Sequence, residues 1–456
     1  MIRQAILLVL SLAFLGVTVV LLIEKMNENT SRNPGEAAQT QVAQDAGDEQ
    51  TEDVPDVESD EEMEEILAAN PYAAEFLKKI AGMSEDQMAS TPFPASEIDS
   101  FFENVLNHDS ASPVWFNPNR PDYAGVIPYD GKARNITCWG DSMTEGYGSE
   151  GGTVTLSDGS VRDISFINYP QRLQELTGIT TNNCGVGGET SIDIAVRQGG
   201  IEMVTDRNVV VTAEGSDDFQ LVNTYNGEVV YLDNYSGFGE TMEDQLNHVY
   251  VNNRLFELSL EDEIFHLTLP SDASADFTSG VAGDGVSESA GSAAKTRSTS
   301  QPRSYMVPEG TRVYTAASQS FEGDILIIEM GSNGGWDDLS QLIEQYDAML
   351  TYANCDYYII LGDTDAPLFN AGLGEDEWEA TLRAAFGDHF MNMRTYLMEN
   401  GLKDNNLTPT YADALRLVKG GISDQLRADW THLNANGYYS KGLGVYKKGV
   451  ELGYWK

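Results

Sequence analysis

The sequence predicts an α/β fold: a parallel sheet covered on both faces by helices, interrupted by a β-rich insertion and preceded by an apolar helix on an acidic tether. Three observations predict it. Four short apolar runs end in small or polar residues and alternate with amphipathic helical patterns. The alternation breaks between about Gly200 and Glu322, where strand-like segments follow one another. The chain opens on an apolar run and then a dense acidic stretch. A length of 456 residues exceeds one ordinary domain and leaves room for all three parts.

The apolar run from Ala5 to Ile23 is about long enough to cross a bilayer as a helix. Arg3 precedes it and acid dominates beyond it, so the positive-inside rule places the N-terminus in the cytoplasm and the body outside. We expect residues 1–25 to be a signal-anchor helix of a single-pass protein. The alternative is secretion after signal-peptide cleavage, although no A-x-A-like site follows Ile23. Residues 26–70 are polar, with twelve acidic and no basic residues between Asp45 and Glu65. Such a stretch repels itself and buries no core, which predicts an extended, disordered stalk. Residues 71–130 read as a helical lead-in, because Phe76, Leu77 and Ile80, and again the segment Ala95–Leu106, carry apolar residues at helical spacing.

The α/β body is expected over 131–199 and 323–456. Its strands are NITCWGDS (135–142), TTNNCGVGG (180–188), DILIIEMGSN (324–333) and DYYIILGDTD (356–365). Pro170–Leu176 and the series Leu339, Leu342, Ile343, Tyr346, Leu350 are the helices. Polar residues at the carboxyl ends of such strands mark where an α/β sheet places a site. The insertion, 200–322, is read as an all-β module. Its strand-like runs are RNVVVTA (207–213), GEVVYLDN (227–234), HVYVNNRLFELSLEDEIFHLTL (248–269) and TRVYTAAS (311–318), with a disordered loop at 271–304.

Composition excludes several functions. There are 72 acidic residues against 27 basic ones, a formal charge of −45. Phosphate recognition needs a basic surface, so nucleic acid is excluded as a partner, and so is docking on anionic lipid headgroups. Membrane contact is left to the N-terminal helix alone. Cys138, Cys184 and Cys355 match no zinc spacing and allow at most one disulfide. Cys138 and Cys184 lie in strands, where burial fits better than reactivity. No phosphate-binding glycine loop, nicotinamide fingerprint or metal cluster is present, so no cofactor is expected.

The sharpest chemical feature is WGDSMTEGYG (139–148). A serine after Gly-Asp, where an apolar strand turns into a helix, brings its hydroxyl to the sheet edge beside a helix N-terminus that favours negative charge. Taken alone it also fits an ordinary turn with a capping serine, and LGDTDAP (361–367) repeats the pattern with Thr364. A nucleophilic serine needs a base and a group that orients the base. Of His108, His248, His266, His389 and His432, His432 is singled out because Asp429 stands three residues before it, a spacing that lets one loop present both side chains; His108 and His266 read as surface or β-module residues. His389 has the adjacent Asp388, but neighbouring side chains diverge and the pair falls in an expected helix.

The order Gly140-Asp141-Ser142, then NNCGVGGETS (182–191), then Gly331-Ser332-Asn333, then Asp429-Trp430-Thr431-His432 resembles the SGNH/GDSL hydrolases. The resemblance covers about 135–200 and 323–450. It implies a three-layer α/β/α hydrolase domain with Ser142 as nucleophile, His432 as general base and Asp429 as its orienting carboxylate. It also implies an oxyanion hole from the Ser142 and Gly188 N–H groups and the Asn333 amide. Two departures qualify it: Gly334 follows Asn333 where the family has Asp, and Gly187 competes with Gly188. The implied activity is a metal-free serine esterase on O-acyl groups, with an acylated glycan or cell-wall O-acetyl ester as the expected substrate. A lysophospholipase or short-chain lipase, an acyltransferase on the same triad, and a catalytically silent surface-binding protein are the alternatives. The insertion is expected to shape the substrate.

Overall fold

The computed structural model describes residues 71–94, 97, 101, 127–239, 247–270, 304–364 and 375–456. The expected membrane helix (1–25), stalk (26–70), His108 and nearly all of the 271–304 loop lie outside the described residues, as does all but Glu97 and Phe101 of the 95–106 helix. The described residues belong to one unit, Glu64–Lys456. Among them no helix is long and apolar enough to cross a membrane.

Two helices, α1 (Pro71–Ile80) and α2 (Glu85–Ser90), come first. The body opens with β1 (Ile136–Gly140), the single turn α3 (Ser142–Glu145), a hairpin of β2 (Thr153–Thr155) and β3 (Val161–Asp163), α4 (Tyr169–Thr177), β4 (Thr181–Gly185) and α5 (Ser191–Gln198). Short strands follow among the described residues: β5 (Met203–Thr205), β6 (Val209–Thr212), β7 (Gly215–Ser216), β8 (Leu221–Asn223), β9 (His248–Val251), β10 (Arg254–Glu261), β11 (Ile264–Thr268), β12 (Tyr305–Val307) and β13 (Arg312–Thr315). After α6 (Ala316–Ser320) the alternation resumes with β14 (Ile325–Glu329), α7 (Leu339–Ala353), β15 (Tyr358–Leu361), α8 (Glu375–Phe386) and β16 (Phe390–Met391). The chain then runs through α9 (Met393–Asp404), α10 (Tyr411–Val418) and α11 (Ala435–Glu451).

The fold is mixed α/β. Strands β16-β15-β14-β1-β4 form a parallel sheet in that order. Antiparallel sheets β11-β10-β9-β13-β5-β8 and β12-β6-β7 gather the strands between α5 and α6. Every residue of β1 and of β14 is buried, as central parallel strands require. Side-chain alternation divides them between two cores. Ile136, Cys138, Ile325, Ile327, Ile359 and Leu361 face α4, α9 and α11 through Leu173, Leu397, Tyr438 and Val445. Trp139, Leu326, Ile328 and Ile360 face the other way, onto Ile194, Leu342, Tyr346 and Leu382 of α5, α7 and α8.

The antiparallel strands do not form a separate core. Val211, Phe256, Leu267 and Val313 belong to the same apolar cluster as Trp139 and Ile328. The run 248–269 resolves into three strands rather than one, because Asn252-Asn253 and Asp262-Glu263 take positive φ at both positions and close tight hairpins. The expected strand at 227–234 is absent; only the bridge Val222↔Val229 forms. Glu228 O and Val230 N–H still pair with β8, and beyond them the Tyr235 hydroxyl accepts from Leu232 N–H at 3.1 Å and donates to Val230 O at 3.1 Å. A fifth parallel strand, β16, follows a 3₁₀ turn at Gly387–His389, where a helix was expected.

Helix boundaries follow local capping. Thr190 and Asp193 form a capping box at α5, Asp338 accepts from Ser340 and Gln341 N–H at α7, and Asn434 caps α11. Phe76 and Ile80, periodic in the sequence, are buried with Tyr411 and Ala414 of α10.

Cys138 and Cys184 face opposite sides of the sheet and both are free. Burial pushes the Cys184 thiol up to about 12, so it is inert at neutral pH.

Gly185 passes close under α3: a Cβ there would come to 2.6 Å from the Thr144 carbonyl carbon. Gly185→Ala is expected to cost about 1–3 kcal/mol through forced separation of β4 from α3. A denaturant melt checks this, and an unchanged midpoint would contradict the close packing.

Candidate active site

The chain leaves β1 toward β4 on one side and later returns to β14 on the other, so strand order reverses at β1. A crevice opens at the carboxyl ends of the strands at such a point, and three loops meet there. They are Asp141–Ser142 after β1, Val186–Glu189 after β4 and Gly331–Gly335 after β14.

Ser142 is the first residue of α3, with Asp141 as its N-cap. His432 Nε2 lies 3.0 Å from Ser142 Oγ, and His432 Nδ1 lies 2.8 Å from Asp429 Oδ2. An ionised carboxylate only accepts, so Nδ1 carries the proton and Nε2 is left to accept from the serine hydroxyl. The other Asp429 oxygen accepts from the N–H groups of Thr431 at 2.7 Å and His432 at 2.6 Å. Arg427 donates to the backbone carbonyls of Asp429 and Trp430, and Ala428 N–H closes the loop on His432 O at 2.9 Å. The loop is therefore tied internally before it meets Ser142. Partial burial works to raise the Asp429 carboxyl, but the hydrogen bonds from His432 and Thr431 outweigh it and hold it below the ordinary 3.8.

Tyr147 packs its ring 4.6 Å from that of His432, and Tyr438 fixes its backbone by donating to Tyr147 O at 2.8 Å. Gly148 beside it has φ +88°, and a Cβ there would meet Ala428 Cβ at 2.7 Å and Leu433 O at 2.8 Å. Only glycine lets the 146–149 turn approach the histidine loop this closely.

Among the described residues neither the Ser142 N–H nor the Gly188 N–H has a hydrogen-bond acceptor. Gly188 has φ +78°, a backbone conformation that glycine adopts without strain. A Cβ on neighbouring Gly187 would lie 3.7 Å from Ser142 Cβ and 2.9 Å from Glu145 Oε2, so that position needs its bare backbone as well. The Asn333 amide is placed differently. It donates to Asp141 Oδ2 at 3.3 Å and to Glu189 O at 3.2 Å, which uses both of its N–H bonds.

Three further carboxylates lie under these loops. Asp141 is 1 % exposed and accepts from Met143 N–H at 2.9 Å and Ser332 Oγ at 2.7 Å; burial raises its carboxyl while these donors oppose the rise. Glu189 pairs with Arg197, and burial pushes its carboxyl up to about 7. Glu329 receives Lys441 Nζ at 2.6 Å on both oxygens; burial raises this carboxyl too. Lys441 also donates to Met143 O at 3.3 Å, tying α11 to the turn that carries Ser142.

The structure brings Ser142, His432 and Asp429 into one hydrogen-bonded chain and sets Asn333 against Asp141 and against Glu189, the residue after Gly188. It leaves the other described histidines apart. His389 is buried beside β15, with Nδ1 2.9 Å from Tyr358 O and 3.0 Å from Tyr454 Oη. His248 lies in β9, and His266 lies in β11 with Asp218 at 3.8 Å. Thr364, which repeats the Gly-Asp pattern, has its hydroxyl buried without a hydrogen-bond partner among the described residues. The expected helix beyond Ser142 is a single turn, so its contribution is bare N–H groups and not a macrodipole. Among the described residues no cluster of His, Cys, Asp or Glu is placed to hold a metal ion.

Sequence reading gave no role to Asp141 beyond its tripeptide and passed over the Glu189–Arg197 and Glu329–Lys441 pairs. Arg197 and Lys441 have no signal in the sequence pattern, and only their burial distinguishes them.

Because the folded Asp429 carboxyl lies below 3.8, its bonds stabilise the loop above that pH and are lost as pH falls through the lowered value. The gap in thermal midpoint between the protein and Asp429→Asn is expected to be widest at neutral pH and to narrow below about pH 4. A gap independent of pH would mean that the charge contributes nothing. No family model, no curated protein and no solved structure matches the chain, so any functional reading rests on its own side chains.

Proposed function

We propose that the protein is a serine esterase of the SGNH/GDSL type, with a three-layer α/β/α hydrolase domain, that hydrolyses O-acyl esters. The supporting observation is the hydrogen-bonded chain Ser142–His432–Asp429, placed where strand order reverses and beside two N–H groups without acceptors. The Asp429 carboxylate is 38 % exposed, so its pairing with His432 adds little stability as a structural device alone.

In this reading His432 Nε2 takes the Ser142 proton as Oγ attacks the acyl carbonyl carbon. The carbonyl oxygen becomes an oxyanion, received by the Ser142 and Gly188 N–H groups and by Asn333. Asp429 holds the imidazolium and its tautomer. His432 then gives the proton to the departing alcohol, leaving an acyl group on Ser142. Water, deprotonated by the same nitrogen, releases the acid and restores the serine.

The substrate we favour is an uncharged acylated glycan. Tyr147, 56 % exposed beside His432, and Trp430, 46 % exposed in the histidine loop, offer aromatic faces to a sugar leaving group. The charge of −45 disfavours anionic esters. The domain is taken to act outside the cell, held by the N-terminal apolar segment.

Purified full chain should hydrolyse p-nitrophenyl acetate, and Ser142→Ala should lose at least about 10³-fold in kcat. Equal rates would end the catalytic reading. A series of longer acyl chains separates the two ester classes. Falling rates with length, together with acetate release from acetylated glycans, support the glycan substrate, and rising rates support a lipase. Asn333→Ala should lower kcat about 10²–10³-fold with little change in KM.

A further inference from the structure

Arg197 is fully buried, lies on α5 and carries no reacting group in the mechanism above. Its guanidinium reaches three segments at once. Nε donates to both Glu189 oxygens at 3.0 and 2.8 Å, and Nη2 lies 2.7 Å from Glu189 Oε2. Nη1 donates to Gly237 O at 2.9 Å, and Nη2 reaches Gly140 O at 3.3 Å. Gly140 ends the strand that delivers Ser142. Glu189 follows Gly188, and its own carbonyl holds the Asn333 amide. Gly237 belongs to the antiparallel part of the chain.

That antiparallel part packs closely onto α5 and the edge of β4. A Cβ on Gly237 would meet Thr315 Cβ at 2.7 Å, and Thr315 Oγ1 donates to Arg197 O at 2.7 Å. A Cβ on Gly239 would come to 2.8 Å from Asn183 O and 2.9 Å from Gly185 O, so segment 237–239 lies along the open edge of β4. Stability alone does not call for this arrangement. A buried ion pair loses in desolvation much of what it gains in attraction, and apolar residues of similar size often serve as well. A guanidinium is distinguished from them by rigid donors aimed in several directions.

Resting on the hydrolase reading, we propose that Arg197 is a positioning residue for the reaction at Ser142. It sets the loop bearing Gly188 and Asn333's acceptor against the end of β1, with the antiparallel strands as its outer support. The role of those strands near the site is therefore to fix the oxyanion-binding geometry. Lysine keeps the charge but not the fork, so it cannot hold Glu189, Gly140 and Gly237 together.

The test compares full-chain protein, Arg197→Lys and Ser142→Ala on p-nitrophenyl acetate. Active sites are counted with a fluorophosphonate, which bonds to the serine oxygen as fluoride leaves. Arg197→Lys should lose about 100-fold in kcat per titrated site, with KM within about threefold. Binding of an alkylboronic acid, which adds Ser142 Oγ to give a tetrahedral adduct, should weaken by a similar factor. Wild-type kcat per titrated site in Arg197→Lys would overturn the proposal, as would a loss explained entirely by fewer titratable sites. Should Arg197→Lys fail to fold, the pair Glu189→Gln with Arg197→Met removes both charges together. Its folded form should show the same loss, and full kcat in it would overturn the proposal equally. A wild type no faster than Ser142→Ala removes the hydrolase reading, and this inference with it. Activity in the wild type that Arg197→Lys retains removes only the inference.

Discussion

Asp141 sits at the end of the central strand with almost no exposure, and a carboxylate there persists only if the surrounding chain supplies donors. They come from two directions. Met143 N–H, in the turn carrying Ser142, meets one oxygen, while Ser332 and Asn333, from the loop after β14, meet the other. One side chain therefore ties the serine turn to the neighbouring strand's loop, which a parallel sheet brings alongside in register. The loops after β1 and β14 thus meet at Asp141. The 3.0 Å approach of His432 to Ser142 depends on that turn staying where Asp141 holds it.

Two buried ion pairs extend the same constraint outward. Lys441–Glu329 joins the last helix to β14 and to Met143 O, and Arg197–Glu189 joins α5 to the loop after β4. Both basic side chains are fully buried in a protein with a large acidic excess, where isolated cations would lose much hydration and gain little. Their value lies in direction. Each cation bonds a carboxylate and at least one backbone carbonyl next to the site, so each restricts a loop that apolar packing would leave free to slide. Tyr169 and Tyr438 flank Lys441 at 4.9 and 6.0 Å, and Trp139 flanks Arg197 at 5.2 Å, which recovers part of the lost hydration.

The parallel sheet was legible because its central strands are buried on both faces, and continuous apolar runs such as ITCWG and ILIIE have no other use in an α/β chain. The meeting of Ser142 with the Asp429–His432 loop was legible because both residue types stand where strand ends and helix starts place loops. Other features were hidden for physical reasons. The hairpins of 248–269 turn on Asn-Asn and Asp-Glu pairs, which lack the glycine that marks most tight turns, although asparagine tolerates positive φ well. The apolar run at 227–234 alternates like a strand and pairs with β8 at Glu228 O and Val230 N–H, yet beyond them a tyrosine hydroxyl takes the hydrogen bonds a neighbour would. Strand β16 is two residues long and carries no pattern of its own. Arg197 and Lys441 carry no signal until burial is known, because periodicity locates apolar faces and says nothing of a cation placed beneath a loop.

Under the proposed esterase reading, Asn333 offers a way for such a frame to favour a transition state over a substrate. Its two N–H bonds are already given, one to the Asp141 carboxylate and one to the Glu189 carbonyl. An ester carbonyl is an acceptor of about the same strength as the Glu189 carbonyl, so exchanging one for the other gains little while the substrate is neutral. As charge develops on the ester oxygen, it becomes the stronger acceptor and the exchange turns favourable. The bond to Asp141, which has no competing acceptor in the exchange, stays and acts as the pivot. Stabilisation that appears only when charge appears lowers the barrier without tightening substrate binding. Holding Glu189 rigid then matters doubly. A loop free to follow the amide would keep its hydrogen bond in every state and leave nothing for the oxyanion to gain.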